Sequence, residues 1–529
     1  MKDKKKWIYS ILCLFIFVVG VSFAYFVAQN GNGAVGNIDV ISNSLDDLKF
    51  SAGDPISLKI TQFNFTQGGG NLSDSTTATA SLKANNSTNK ASYTYNVYFA
   101  VDWNFFKVSN NENYPDIILT VIDPLGSEVT SIDGLTYYDG STTKGVSGFD
   151  ITTFEGVKTI ADNYTITSNS STTYTTQDWQ FKVTYINYDF NQNYDAVRSI
   201  NANIVIQKEK LPITLADVCS NGDNLANCIT TLSEKSVSGA TNIYYHDSNL
   251  ENGANDNSYR YAGASEKVNN FICFGSTTSP CPTNNLYRII GVIDGKVKLI
   301  KYDYMTKEEL GTNGDYQGEI AINTDHYKGS LSSMDGYYWN YKADTTINDG
   351  QGSNTWSTSL FNKVNLNTNF INYLGTTWAN KIATTTWKVG GNTYDNIANT
   401  IPSKTYQNEI VNPDATNTTD NATTYNAKIG LMYVSDYGFA ATPSAWGYAI
   451  NYYWNDHIVS NNWMYMGLDE WPISRISEVS FAIVVMTNDG GVGGNNANCY
   501  YAGRAVFNLE TSITYKSGAG TMNDPIIIN

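Results

Sequence analysis

Leu286–Tyr302, LYRIIGVIDGKVKLIKY, decides how the second half of the chain is read. Two β-rich runs flank Asp294-Gly295, a dipeptide that favours a two-residue type I′ hairpin turn. Alternation in the second run places Val297 and Leu299 toward a core and Lys296, Lys298 and Lys301 toward water. The same period of two appears upstream in Trp179–Tyr185, WQFKVTY, where Trp179, Phe181, Val183 and Tyr185 alternate with Gln180, Lys182 and Thr184. Ile56–Ile60, Tyr93–Val101, Ile117–Ile122 and Asn203–Gln207 are further strand candidates. Turn formers such as Asp123-Pro124, Asp133-Gly134 and the Gly68–Gly70 run lie between them. No helical period interrupts residues 38–208, so this stretch reads as a β-sandwich or jelly roll.

Downstream the pattern changes. From Leu360 to Ile382 the apolar residues recur at three- and four-residue steps, which predicts one or two short amphipathic helices. Phe481–Met486 and Tyr500–Leu509 return to strand. The fold class expected is therefore mainly β with an α+β C-terminal domain. Residues 209–218, around KEKLPITL, read as the linker between a domain at 38–208 and one at 219–529.

The N-terminus carries a different signal. Trp7–Ala28, WIYSILCLFIFVVGVSFAYFVA, is uncharged and follows four lysines within the first six residues. Its length matches the roughly 20 apolar residues of a membrane-spanning helix. Lysines before it belong on the cytoplasmic side, which directs the remainder outward. Two readings stay open: a signal peptide cleaved near Ala24 or Ala28, or an anchor that is kept. Residues 29–37 then form a flexible linker. Its Gly31-x-Gly33-x-x-Gly36 is no dinucleotide site, because no βαβ unit surrounds it.

Composition narrows the function classes. Only 16% of the 529 residues are charged, and the net charge of −16 argues against a nucleic-acid partner. Hydrophobic content of 41% with 13% aromatics supports packed cores rather than disorder. Outside the apolar N-terminal run the cysteines are Cys219, Cys228, Cys273, Cys281 and Cys499. An exported chain permits disulfides, and the close pairs Cys219–Cys228 and Cys273–Cys281 are the candidates. Cys499, left over, reads as a small buried residue in a strand.

No nucleophile elbow, phosphate-binding loop or zinc-protease helix is present, so an enzyme is not expected. His246, His326 and His457 stand apart in sequence and read as surface residues. No cofactor is expected, with calcium the candidate ion. Asp247, Asn249, Glu251 and Asp256 supply oxygen ligands, although their spacing misses the EF-hand pattern and suits an Asn/Gly turn. Aromatics crowd Trp446–Trp471. Rings beside amides suit sugars, which present apolar faces and hydroxyl rims. The ligand surface expected comprises Trp446, Tyr453, Trp454, Trp463 and Tyr465, with Asn495 and Asn496 from a Gly/Asn-rich loop at 489–498. Trp471 is expected in the core. Trp454→Ala or Trp463→Ala should then cost under about 2 kcal/mol, against about 3–5 for a core tryptophan.

Two resemblances add to this. The basic start, the exit Val21-Ser22-Phe23-Ala24-Tyr25-Phe26 and the Asn/Thr/Gly-rich β-stretch behind it resemble the camelysin/TasA-type family of exported matrix-fibre proteins. That resemblance implies a jelly-roll fold and self-assembly in a biofilm matrix. The family's metallopeptidase activity is not carried over, since no His-Glu-x-x-His motif occurs. Asn249–Gly263, Lys428–Gly438, Asn462–Ser474 and the Gly518-x-Gly520-Thr521 ending resemble a C-type-lectin-like surface domain family of low-GC Gram-positive gut bacteria. Where that family has Arg-Pro, this chain has Arg504-Ala505. Together they imply a secreted or cell-surface adhesin whose partner is an extracellular glycan or protein. A structural fibre subunit is the alternative, and a carbohydrate-active or peptidase enzyme comes third.

Overall fold

The computed structural model describes residues 46–529 apart from 62–63, 65, 67, 86–89, 107–113, 193–194, 196–197, 212–213, 237–239, 321–333, 390–391 and 412–423. Trp7–Ala28, the linker at 29–37 and His326 lie outside the described residues. Among those described, no helix is long and apolar enough to cross a membrane. Strand accounts for 36% and helix for 18%, and the described residues form several sheets with no closed barrel among them. The chain divides into two compact units, Met1–Leu211 and Pro212–Asn529.

Among its described residues the first unit holds ten strands: β1 (Asp47–Ser51), β2 (Ile56–Lys59), β3 (Leu72–Lys83), β4 (Ala91–Asn104), β5 (Ile117–Ile122), β6 (Tyr137–Asp139), β7 (Ser147–Asp150), β8 (Gly156–Ser168), β9 (Thr175–Tyr185) and β10 (Ser199–Gln207). They form a six-stranded sheet ordered β1-β3-β9-β5-β7-β6 and a four-stranded sheet ordered β2-β10-β4-β8. Ala78, Ala80 and Leu82 of β3 and Trp179, Phe181 and Val183 of β9 share one core with Tyr95, Val97 and Phe99 of β4 and Ile200, Ala202 and Ile204 of β10. Alternate residues thus point inward from both sheets, as a sandwich requires. Gln180 and Lys182 face out as expected, but Thr184 is buried. It pairs opposite Ile118, which forms a small outer cluster with Ile186 and Tyr188.

The second unit is built on a seven-stranded antiparallel sheet. β11 (Ile243–Tyr245), β12 (Tyr259–Tyr261), β14 (Leu286–Ile293) and β15 (Lys296–Lys301) run in that order, followed by Val506–Asn508 and Ile429–Gly430. β13 (Phe271–Cys273) also pairs with β14. The β14–β15 turn has φ of 50° at Asp294 and 71° at Gly295, the positive values a type I′ turn demands. A helix at Leu225–Lys235 starts where the Asn224 side chain accepts from the Asn227 amide. It buries Leu225, Ile229 and Leu232. The predicted helical stretch is present as Phe361–Phe370 and Ile371–Ala379, broken at Gly375 with φ of 72°. Disulfides join Cys219 to Cys228 and Cys273 to Cys281. Cys499 is free and half-buried; it lies in a bend rather than a strand, and its thiol donates to Asn495 Oδ1.

One expectation fails here. β15 lies between two strands with both faces covered, so Lys298 and Lys301 are buried rather than facing water. Lys298 Nζ donates to Asp436 Oδ2 at 2.5 Å, and Lys301 Nζ lies 3.0 Å from Glu309 Oε1. An interior ammonium is tolerated only with such a partner.

Candidate functional site

The interior of the second unit carries more ionised groups than its sequence suggested. Asp436, near the start of the buried helix Val434–Ala440, also lies 3.4 Å from Arg260, whose guanidinium reaches Asp256 at 2.7 Å. Glu409 accepts from the amides of Val434 and Ser435 at the same helix start, and from the Ser474 hydroxyl. Arg504 grips both oxygens of Glu470 at 2.8 Å and donates to Met464 O. Burial pulls the Lys298 ammonium below its ordinary range and pushes the Glu409 carboxyl above its own. Burial raises Glu470 as well, despite the Arg504 charge beside it. These groups hold one another inside the core.

The predicted aromatic surface separates into inside and outside. Trp446, Tyr453, Trp463 and Tyr465 are buried, which corrects their assignment as ligand-contacting rings. Each has its polar atom committed: Trp446 Nε1 donates to Ala441 O, Trp463 Nε1 to Tyr261 O and Tyr465 Oη to Asn488 O. Tyr453 Oη donates to Gly438 O at 3.2 Å. The Arg288 guanidinium lies 4.8 Å from the Trp463 ring. Trp463 therefore belongs with Trp471, which is buried as expected, and its truncation carries the core cost of about 3–5 kcal/mol.

Trp454 is different: it is 52% exposed, and Tyr452 and Tyr448 flank it at 57% and 39%. The rings alternate with buried neighbours because the segment runs through a short 3-10 turn, Ile450–Tyr452, pinned by the Ile450 and Asn451 amides to Thr400 O and Ala398 O. Beside them Asn451 Nδ2 donates to Asn399 Oδ1, and Asn399 Nδ2 to Asp395 Oδ1, each at 2.6 Å. Three large rings of this segment thus stand exposed, with the Asn451 amide next to Tyr452 in the chain and the Asn399 amide hydrogen-bonded to it.

The Gly/Asn-rich stretch is a hairpin, Ala482–Met486 with Val492–Asn496, not a loose loop. Its turn adjoins the aromatic segment: a Cβ on Gly490 would lie 3.2 Å from Tyr453 O, and one on Gly491 3.4 Å from Asn451 O. Asn495 and Asn496 sit at the opposite end of that hairpin. They bond to Tyr501 and Gln351 instead, so they do not join the rings.

Asp247, Asn249, Glu251 and Asp256 do not converge. Asp247 accepts from the amides of Asn249 and Leu250, closing its own turn, while Asp256 serves Ser258 and Arg260. Asn252, Asn255 and Asn257 take positive φ, so the stretch is a turn built on asparagine. The one grouping of three acidic, thiol or imidazole ligands among the described residues is Cys219, Asp223 and Cys228, whose sulfurs are already bonded to each other.

His246 is also not a surface residue. It is fully buried against Phe439 and Trp446, with Nδ1 accepting from the Ala254 amide at 3.0 Å.

A second open feature escaped the sequence reading. A groove of about 620 Å³ runs between the disulfide-closed loop at 275–278 and the broken helix at 374–381. Ser276, Thr278, Thr376, Thr377, Trp378 and Lys381 line it. The glycine that interrupts the helical period, Gly375, was the available signal. No protein family, curated protein or solved structure matches this chain.

Proposed function

We propose that this protein is a cell-surface binding protein, an adhesin in which a lectin-like α+β unit is displayed on a jelly-roll-like stalk and takes an extracellular glycan. Trp7–Ala28, as anchor or signal, delivers it there. The observation that carries the reading is the contrast within one segment. Tyr448, Tyr452 and Trp454 are solvent-exposed while Trp446, Tyr453, Trp463 and Trp471 around them are buried. Large rings held at the surface beside an amide ladder suit the apolar face and hydroxyl rim of a sugar.

The fibre-subunit alternative draws on the open sheet edges of the first unit. Among the described residues its longest edge strand, β8, pairs only with β4. Yet β8 is bulged where Asn163 takes a φ of 52° and its amide donates to Asn96 Oδ1. Bulges of this kind blunt an edge against pairing with another chain. That favours the binding reading.

Glycan-array screening followed by titration of the best saccharide tests it. Trp454→Ala is expected to lower affinity at least tenfold while folding stability stays within about 0.5 kcal/mol. Trp463→Ala is the reverse control, expected to lose about 3–5 kcal/mol of stability. Unchanged affinity in Trp454→Ala would remove the aromatic face as the binding surface.

A further inference from the structure

We propose that His246 is the catch of an acid-operated latch: when its imidazole takes a proton, the turn at 247–257 lifts away and Trp446, which anchors the segment bearing the exposed rings, comes loose. The inference goes beyond the binding reading above and does not depend on any ligand.

The geometry carries it. His246 follows β11 and is fully buried. Its Nδ1 accepts from the Ala254 amide, and its main-chain oxygen accepts from the amides of Asp256 and Asn257. One residue thus holds the returning limb of the turn by both ring and backbone. The other side of the ring meets Phe439 edge-on at 4.8 Å and Trp446 at 5.0 Å. Ala254, Phe439 and Trp446 belong to a small apolar cluster separate from the main core, and Leu250 of the turn packs against it. Tyr448, the first of the exposed rings, comes two residues after Trp446.

A protonated imidazole does not fit this arrangement. With hydrogens on both nitrogens, Nδ1 would point a donor at the Ala254 N–H, while Nε2 has no hydrogen-bond partner to share the charge. The ionic neighbours are already committed. Arg260, on β12, brings a like charge. Its guanidinium engages Asp256 on the turn at 2.7 Å and Asp436 on the helix Val434–Ala440 at 3.4 Å, and lies 5.2 Å from the Tyr406 ring on the helix Pro402–Tyr406. Burial alone would raise the Asp256 carboxyl, but the Arg260 charge and hydrogen bonds hold it well below the usual carboxylate range, so it stays ionised in mild acid. Asp247 accepts from the amides of Asn249 and Leu250 within the turn.

The turn is built to open by itself. Ser248, Asn249, Glu251, Asn255 and Asn257 are exposed, and lifting it uncovers little apolar surface beyond Leu250 and Ala254. Segments with few buried apolar contacts open at lower free energy than the strands of a core.

Hydrogen exchange across the full chain, in wild type and His246→Gln, tests the latch. The probes are the amides at 247–257 and those of Ala445, Trp446 and Tyr448, each bonded within its own short turn. From about pH 7 to about pH 5 their opened fraction, corrected for the intrinsic effect of pH on exchange, should rise about 25-fold in wild type, the factor for freeing a group of ordinary pKa 6.5. In His246→Gln, whose amide oxygen can take the place of the Nδ1 acceptor, the rise should stay below about threefold. His246→Asn serves if that variant does not fold. His457, on the helix after the ring segment, is common to all three proteins and drops out of the difference. Both probe segments should also exchange at least about tenfold faster than the β14–β15 hairpin. Parallel slopes in wild type and variant overturn the role of His246. Protection equal to that of the hairpin would mean that only global unfolding frees the ring, and overturns the latch. A response at 247–257 with none at 445–448 overturns the link to the exposed rings.

Discussion

The two units solve the problem of a buried sheet in opposite ways. In the sandwich each sheet has one inner face, and alternate residues fill it with Ile, Val, Ala and aromatic rings. Its buried polar groups are amides, hydroxyls and a few carboxylates, such as Gln192 holding Asp116 at 2.6 Å, with no buried lysine or arginine among its described residues. The central sheet of the second unit is covered on both faces, and Arg260, Arg288, Lys298, Lys301 and Arg504 are all buried in that unit. Packing can tolerate an alternating strand in the first setting. In the second, a buried cation on the sheet needs oxygens brought from elsewhere in the chain: carboxylates for Lys298 and Lys301, and the neutral oxygens of Asn270, Ser265 and Val268 for Arg288.

The largest expected effect follows from that. Asp436→Ala leaves Lys298 and Arg260 without a shared carboxylate inside the core. Removing one partner of a buried pair costs about 3–5 kcal/mol, because the remaining charge stays desolvated. Denaturant unfolding of the second unit, followed by segment-resolved hydrogen exchange, should show that loss. Adding Lys298→Met should recover part of it. A loss below about 1 kcal/mol would mean that water reaches these charges, and the contrast between the units would collapse.

This contrast also explains what could be read in advance. Trp179–Tyr185 and the Leu286–Tyr302 hairpin were legible because strand period and turn chemistry are local. The two disulfides were legible because their cysteines lie 9 and 8 residues apart. Burial of Lys298 was not, since its partner Asp436 is 138 residues away and alternation assumes one wet face. In Trp446–Trp471 the rings sit on short 3-10 turns and loops without a period, so nothing local separates buried Trp463 from exposed Trp454. The groove joins residues about a hundred positions apart, and only the Gly375 break marked it.

A smaller effect should appear in the sandwich, with the opposite sign. Asp102 is the carboxyl that burial pushes up to about 6, although Asn203 Nδ2 donates to it. Its folded pKa lies above its unfolded value, so the folded state holds the proton longer. Stability of this unit should therefore fall as pH rises from about 4 through 6. Asp102→Asn keeps an oxygen for Asn203 and removes the charge. It should stabilise the sandwich at pH 7 by on the order of 1–3 kcal/mol, since one pKa unit corresponds to about 1.4. A destabilised variant would show that the charge is solvated and that the first unit tolerates burial no differently from the second.

The smallest expected effect is the acid response of the second unit, set by His246. Burial, then the nearby Arg260 charge, pull its pKa well below the usual 6.5, while Asp256 acts weakly the other way. With Nδ1 accepting from Ala254, the proton of the neutral ring sits on Nε2, which has no hydrogen-bond partner and lies among the Phe439 and Trp446 rings. Unfolding frees the ring to take up a proton below about pH 6.5, so the unfolded state gains as pH falls. Stability is fully present above that value and declines below it by at most about 1.4 kcal/mol per pH unit. Glu409 and Glu470, both raised by burial, titrate with the opposite sign from about their ordinary 4.5 upward. The difference between wild type and His246→Gln therefore isolates the imidazole. Between pH 7 and 5.5, hydrogen-exchange protection of β11 and β12 should fall in wild type and hold nearly level in His246→Gln. Parallel slopes in the two proteins would mean that His246 is protonated or wetted in the folded state.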